Sequence, residues 1–318
     1  MKQKLILYIA TCLLLLSPLA AVAQEEAMAD SIQENAKPRV GVALSGGGAL
    51  GYAHIGVLHA LEDYGIEPTI VAGTSMGAIV GVLYAAGYAP EKILSLITEQ
   101  KMTHKNKIMS LDIKSSELGL YSKKYISSFL DKVLPTDSFD SLPKPFYCAT
   151  TNLMTAKGEI RGTGDKLKKF TLASMSIPVL FQSVVIDSMV YIDGGVTNNL
   201  PACAIKDKCD ILIGVDVNPY TEVERLKTIR DAVMRTMTTL VMNTSVEGRA
   251  CCDYVVDVYA SKHFNILDFA KFKEIYKVGY ETGLHFLLNH PELLRTSGDF
   301  KDRALHKKSS IPTKKRKK

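Results

Sequence analysis

Two short apolar runs, at 39–44 and 69–72, each end in a glycine-bearing turn and lead into apolar residues at helical spacing. After the first, Ser45 and three glycines precede Leu50, Val57, Leu58 and Leu61, with Gly65 as a stop; after the second, residues 73–77 precede an apolar stretch at 78–86 closed by Gly87. A strand that is apolar throughout has no face left for water, so it belongs in a parallel sheet covered by helices. Strand, helix, strand, helix in such close succession predicts an α/β fold, a three-layer α/β/α arrangement on a mainly parallel central sheet. The alternation continues with strands at 146–151, 183–192 (a strand or a hairpin), 211–217 and 254–259, and with helices at 166–175, 226–246 and 269–288. Residues 101–143, richer in Lys, Ser and Pro, read as an excursion or cap. One domain over 38–292 accommodates all of this.

The ends of the chain have a different character. Lys2 and Lys4 precede an apolar run at 5–16, followed by Ser17, Pro18 and the small residues Ala21, Val22 and Ala23. This pattern predicts a secretory signal peptide over 1–23, cut before Gln24, and an exported protein that is periplasmic, outer-membrane-associated or secreted. Residues 24–37 read as a polar linker and 293–318 as a basic disordered tail. Without Lys2 and Lys4 the formal charge of +6 becomes +4, and the seven basic residues of 307–318 leave the body at −3. The basic character therefore belongs to the tail, which suits a solvated end first and attraction to anionic headgroups second, with no nucleic-acid partner expected. Cys12 leaves with the leader. The remaining Cys148, Cys203, Cys209, Cys251 and Cys252 form an odd, sparse set that predicts no disulfide framework, and the adjacent Cys251 and Cys252 cannot easily pair with each other. No Cys/His spacing resembles a zinc site.

Chemistry concentrates at the two turns. Gly73, Thr74, Ser75, Met76 and Gly77 spell G-x-S-x-G between a predicted buried strand and a predicted helix. A serine on so sharp a turn is projected above the sheet, the flanking Gly73 and Gly77 allow the turn, and the helix aims its positive end at the site. Ser75 is thus the candidate nucleophile. Gly46, Gly47 and Gly48 lie at the exit of the preceding strand, on the same carboxyl edge, where successive backbone N–H groups can form an oxyanion hole. Gly46, Gly48 and Gly51 also spell the dinucleotide fingerprint G-x-G-x-x-G. That reading needs an acid at the end of the next strand, where this chain has Gly73, Thr74 and Ser75, so it ranks last. Asp193 closes a predicted strand ahead of Gly194 and Gly195, where a small turn can present its carboxylate as a base; taken alone, it reads as a turn.

The glycine turn at 45–51, the serine turn at 73–77 and the aspartate at 193–195 together resemble the patatin-like phospholipase family, in its bacterial branch related to neuropathy target esterase. The likeness extends through ASMSIPVLF at 173–181 and DGGVTNNLP at 193–201, over roughly 38–220. The resemblance implies a Ser–Asp dyad without a catalytic histidine, with Ser75 as nucleophile, Asp193 as base and the amides of Gly47 and Gly48 as oxyanion donors. It also implies no metal or cofactor and hydrolysis of lipid acyl esters; peripheral contact with a membrane surface is expected from the basic tail and from the mixture of apolar residues and lysines in the cap. Many members carry Arg or Lys where this chain has Leu50. Two rival readings stand beside it: a Ser–His–Asp esterase using His263, the one downstream histidine in a loop after a strand, and a non-catalytic lipid-binding protein of the same fold.

Overall fold

The computed structural model describes residues 38–295, apart from 101, 103–105, 107–109, 112–120, 221, 223 and 224. The predicted leader, the linker, most of the tail and most of the first half of the predicted cap, including its Ile108, Met109 and Leu120, lie outside the described residues.

Strand β1 (Val40–Leu44) leads through a 3-10 turn at Gly48–Gly51 into α1 (Tyr52–Asp63), and β2 (Ile70–Gly73) leads into α2 (Met76–Ala85). Next come α3 (Pro90–Glu99), the two-residue strands β3 (Ser110–Leu111) and β4 (Tyr121–Ser122), α4 (Lys124–Val133) and β5 (Phe146–Asn152). Strand β6 (Lys157–Arg161), α5 (Leu167–Ser174) and the hairpin of β7 (Val184–Ile186) and β8 (Met189–Asp193) follow. The remainder is β9 (Ile211–Asp216), α6 (Ile229–Thr244), α7 (Val246–Cys251), β10 (Tyr254–Asp257), α8 (Phe272–Asn289) and α9 (Pro291–Arg295).

The central sheet has the order β10-β9-β1-β2-β5-β8-β7, with β6 also paired to β5. From β10 to β5 every pairing is parallel; β6, β8 and β7 are antiparallel additions. Successive residues of the parallel strands point to opposite faces. Val42, Leu44, Val71, Ile213 and Val215 enter the large core beneath α1, α2 and α8, while Ala43, Ile70, Ala72 and Leu212 pack on the other face against Leu200, Ala202 and Ile205. The fold is therefore the predicted three-layer α/β/α sandwich with one thick and one thin outer layer. Helix α2 is buried at all ten positions, and its apolar residues run all the way round.

The register around β5 positions the site. Gly73 of β2 lies opposite Cys148 of β5, and Asp193 of β8 lies opposite Thr150. Strand β6 occupies the other edge of β5 over 148–152. So β2 and β8 share one edge and run toward each other along it, and their carboxyl ends meet.

Several sequence expectations need correction. Cys203 is bonded to Cys251, across a separation of 48 residues; the bar on pairing Cys251 with its neighbour left a distant partner available. The bridge pins the turn at Ala202–Ala204 to α7 in the thin layer. The second half of the predicted cap is no excursion, because Ile126, Phe129, Leu130 and Val133 of α4 are core residues. The helix expected at 226–246 begins later, where Thr228 and Asp231 form a capping box, and gives way to α7 after Ser245. The ordered domain continues past 292, with Leu293 and Leu294 of α9 buried.

Candidate active site

Ser75 stands between β2 and α2 with φ 55° and ψ −123°. A residue with a side chain takes that conformation only when its surroundings hold it there. Close packing at the elbow glycines does so: a methyl group at Gly73 would meet the Gly77 carbonyl oxygen at 2.5 Å, and one at Gly77 would meet the Leu44 carbonyl oxygen at 2.4 Å. The Ser75 amide donates to Ser174 Oγ (2.9 Å) at the end of α5. Its neighbour Thr74 is tied through its amide to the Leu44 carbonyl (3.1 Å) and through its hydroxyl to the Asn198 carbonyl (2.9 Å).

Asp193, at the end of β8, is held as firmly. Its amide donates to the Ser176 carbonyl (3.0 Å), and its carbonyl accepts from Thr151 Oγ1 (2.9 Å). The carboxylate accepts from the Gly195 amide (2.7 Å), which makes Asp193 the N-cap of the 3-10 turn Gly194–Val196, and it shares a small cavity with Ser75. Turn residue and neighbour of the serine are thus the same side chain. Burial pushes its pKa up to about 7, while the Gly195 amide and, less strongly, the Ser75 side chain favour the ionised form. A carboxylate poised near neutrality is a better acceptor for an alcohol proton than one at its ordinary value.

The three glycines of the first turn divide. The Gly46 amide donates to the Asn199 carbonyl (3.2 Å), so Gly46 supplies structure where an oxyanion donor was expected. No described group accepts from the amides of Gly47 and Gly48. Gly48 has φ +56°, and a side chain there would meet the Ile266 carbonyl oxygen at 2.4 Å. Asn218 Nδ2 donates to the Gly46 carbonyl, and the Val217 amide donates to Ser45 Oγ (3.0 Å), so the end of β9 braces the turn.

Gly46, Gly47, Gly48, Ser75 and Asp193 line one cavity of about 70 Å³, walled by Ile177 and Pro178 and by Met237, Leu240 and Val241 of α6. Among the described residues no histidine lines it. His263 stands in a neighbouring, wider cleft of about 540 Å³ with Lys262, Arg235 and Ile266. His54, on α1, is fully buried; its Nε2 lies 2.7 Å from the Ser45 carbonyl, and burial lowers its pKa to about 4, so it is a neutral donor bracing the glycine turn. Sequence reasoning did not single out Ser174, Ser176, Thr151, Asn199 or Asn218. Three of these fall in the segments 173–181 and 193–201, where the family likeness was the available signal.

A mainly parallel sheet, a serine on a strained elbow at its carboxyl edge, a glycine turn beside it and a buried aspartate as the serine's partner define a class of α/β proteins distinct from those with a serine–histidine pair. The model of the patatin-like phospholipase family matches residues 42–204, and the chain belongs to that family. It is 28% identical over 282 residues to lysophospholipase NTE1 of Coccidioides immitis, covering 78% of this chain and 17% of that protein. It is 33% identical over 189 residues to an uncharacterized NTE family protein of Mycobacterium bovis, covering 59% of this chain and 51% of that one. The chain thus spans less than a fifth of the length of the NTE1 relative. Among solved structures, VipD from Legionella pneumophila superposes with a TM-score of 0.46 at 15% identity, covering 80% of this chain and 67% of that chain.

Proposed function

We propose that the protein hydrolyses acyl esters of lipids through a Ser75–Asp193 dyad and an acyl-enzyme. The observation that carries this reading is the placing of Ser75 and the buried Asp193 carboxylate in one small cavity, where burial raises the pKa of that carboxylate to about 7. Ser75 Oγ attacks the ester carbonyl and its proton passes to Asp193; the oxyanion is held by the amides of Gly47 and Gly48, and the alcohol leaves with the proton. Water then releases the acid from Ser75 with Asp193 again as base. The apolar walls supplied by Ile177, Met237, Leu240 and Val241 suit an acyl chain. Family membership and the lysophospholipase names of the relatives support a lipid substrate.

Contact with a membrane surface is part of the proposal. Met237, Leu240 and Val241 of α6 wall the cavity, and the same helix continues outward to Val233, 51% exposed, and Ile229, 86% exposed. An amphipathic helix that is half seated and half bare beside a lipid site suits an interface. We also propose export, supported by the leader-like pattern at 1–23 and by the Cys203–Cys251 bridge, which fits an oxidising compartment.

The test is labelling by a fluorophosphonate probe, followed by peptide mapping. The probe should be found on Ser75, and Ser75→Ala should take up none and lose turnover of a short-chain ester by at least about a thousandfold. Retained turnover in Ser75→Ala would refute the dyad. A loss of equal size in His263→Ala would restore the triad reading.

A further inference from the structure

We propose that the side-chain oxygen of Asn199 holds the water that releases the acyl group from Ser75, an inference that rests on the dyad reading above. Asn199 is 1% exposed, and its backbone is fixed at both ends, the amide donating to the Thr244 carbonyl (3.2 Å) and the carbonyl accepting from Gly46. The hydrogen bonding of Ser245 identifies which way its carboxamide faces. Ser245 Oγ has one proton and donates it to the Val241 carbonyl (2.9 Å), so toward Asn199 it can only accept; the group facing it at 3.0 Å must be the amide nitrogen. The oxygen therefore points the other way.

On that side Asn199 Oδ1 is buried and has no hydrogen-bond partner among the described residues. A methyl group at Gly46 would meet it at 2.5 Å and Ser75 Cβ at 3.1 Å; a methyl group at Gly195 would meet it at 3.1 Å and Asp193 Oδ1 also at 3.1 Å. A bare acceptor thus shares one small space with both members of the dyad. An acceptor left unpaired away from water is unfavourable, so the position favours an incoming donor.

The chemistry identifies that donor. The ester group being attacked offers only acceptor oxygens at the reacting centre. Deacylation brings a molecule with two O–H bonds into a cavity of about 70 Å³, room enough for a water. One O–H of that water is directed to Asp193 and the other to Asn199 Oδ1, leaving a lone pair aimed at the acyl carbon. The water's O–H breaks as its proton passes to Asp193 and its oxygen bonds to the acyl carbon. The bond from that carbon to Ser75 Oγ then breaks, Ser75 Oγ recovers the proton from Asp193, and the carboxylic acid departs. First-step acylation makes no use of Asn199 Oδ1.

The experiment is stopped-flow turnover of a p-nitrophenyl ester, with intact-mass detection of acylated protein, for Asn199→Ala and for Ser245→Ala. Ser245→Ala removes the partner of the carboxamide nitrogen and leaves the oxygen in place, so it reports the structural half of the residue. In Asn199→Ala, steady-state turnover should fall roughly 10- to 100-fold, while the burst phase and the rate of fluorophosphonate labelling stay within about threefold and acyl-Ser75 accumulates. Ser245→Ala should melt earlier without accumulating acyl-enzyme. The proposal is overturned if burst and labelling fall in step with turnover in Asn199→Ala, as they would if the oxygen bound a substrate hydroxyl. It is equally overturned if Ser245→Ala accumulates as much acyl-enzyme. Failure of the dyad reading itself would appear in the unsubstituted protein, which would then carry no probe on Ser75.

Discussion

The backbone amide of Ser75 donates to the hydroxyl of Ser174, and two residues later the carbonyl of Ser176 accepts from the amide of Asp193. One short stretch at the end of α5 therefore fixes both members of the proposed dyad. Ser174→Ala leaves the Ser75 amide buried without a partner, a loss of about 1–3 kcal/mol. Turnover of a soluble ester should drop roughly tenfold with the overall fold retained, as kinetics and circular dichroism on the same preparation will report. Unchanged kinetics would mean that the packing of Gly73 and Gly77 alone holds the elbow.

Activity should follow the ionisation of Asp193. The base must be unprotonated to accept the serine proton, and burial places its pKa at about 7. A kcat/KM profile for a neutral ester should therefore rise with pH through an inflection near 7 and flatten above it. A flat profile from pH 5 to 8 would contradict the assignment of the base.

The same shift carries a stability cost. The folded-state pKa is raised above the unfolded value near 3.8, so between those two values the folded chain binds more protons than the unfolded one. Stability from this group is highest below the unfolded pKa and declines as pH rises to the folded pKa. Asp193→Asn removes the buried charge, so at pH 8 it should melt higher than the unsubstituted protein while being inactive, and the gap should close toward pH 4. Differential scanning calorimetry at both pH values tests this; a lower melting point for the variant at pH 8 would show that its hydrogen bonds outweigh desolvation.

Reducing the Cys203–Cys251 bridge should loosen the thin layer. Closing a loop across the separation of 48 residues corresponds to about 4 kcal/mol in the chain-entropy treatment, an upper figure. Cys203→Ser should lower the melting point by several degrees, and dithiothreitol should have little further effect on that variant. An equal response to reductant in both proteins would place the effect elsewhere.

Replacing Ile229 and Val233 by Asp should weaken sedimentation with anionic vesicles at least about fivefold and leave soluble-ester turnover unchanged, because both side chains are exposed and neither lines the cavity. Equal vesicle binding would assign that face of α6 another role.

Local signals carried most of the frame. Buried strands, glycine turns and following helices are patterns of neighbouring residues, and β1, α1, β2, α2, β5, β9 and α8 all begin within a few residues of where periodicity puts them. Strand β6 was silent because its residues are almost all exposed and polar, so no apolar alternation marks it. The Ser75 elbow was legible for the same local reason, whereas Asp193 taken alone reads as a turn, and only the family resemblance marked it as a base. Asn199, Ser174 and the cysteine bridge are long-range relationships, set by which strand edges meet, and no spacing along the chain encodes that.

The head-on approach of β2 and β8 along one edge of β5 has a consequence for when this molecule becomes competent. Each strand alone, or each hairpin, holds half of the reacting pair and is chemically silent. The two halves meet only when β8 docks in register beside the end of β2, with Gly73 opposite Cys148 and Asp193 opposite Thr150. A register slip by one residue would turn the aspartate to the opposite face. Under the proposed dyad, competence would therefore arrive only with the closing of the sheet.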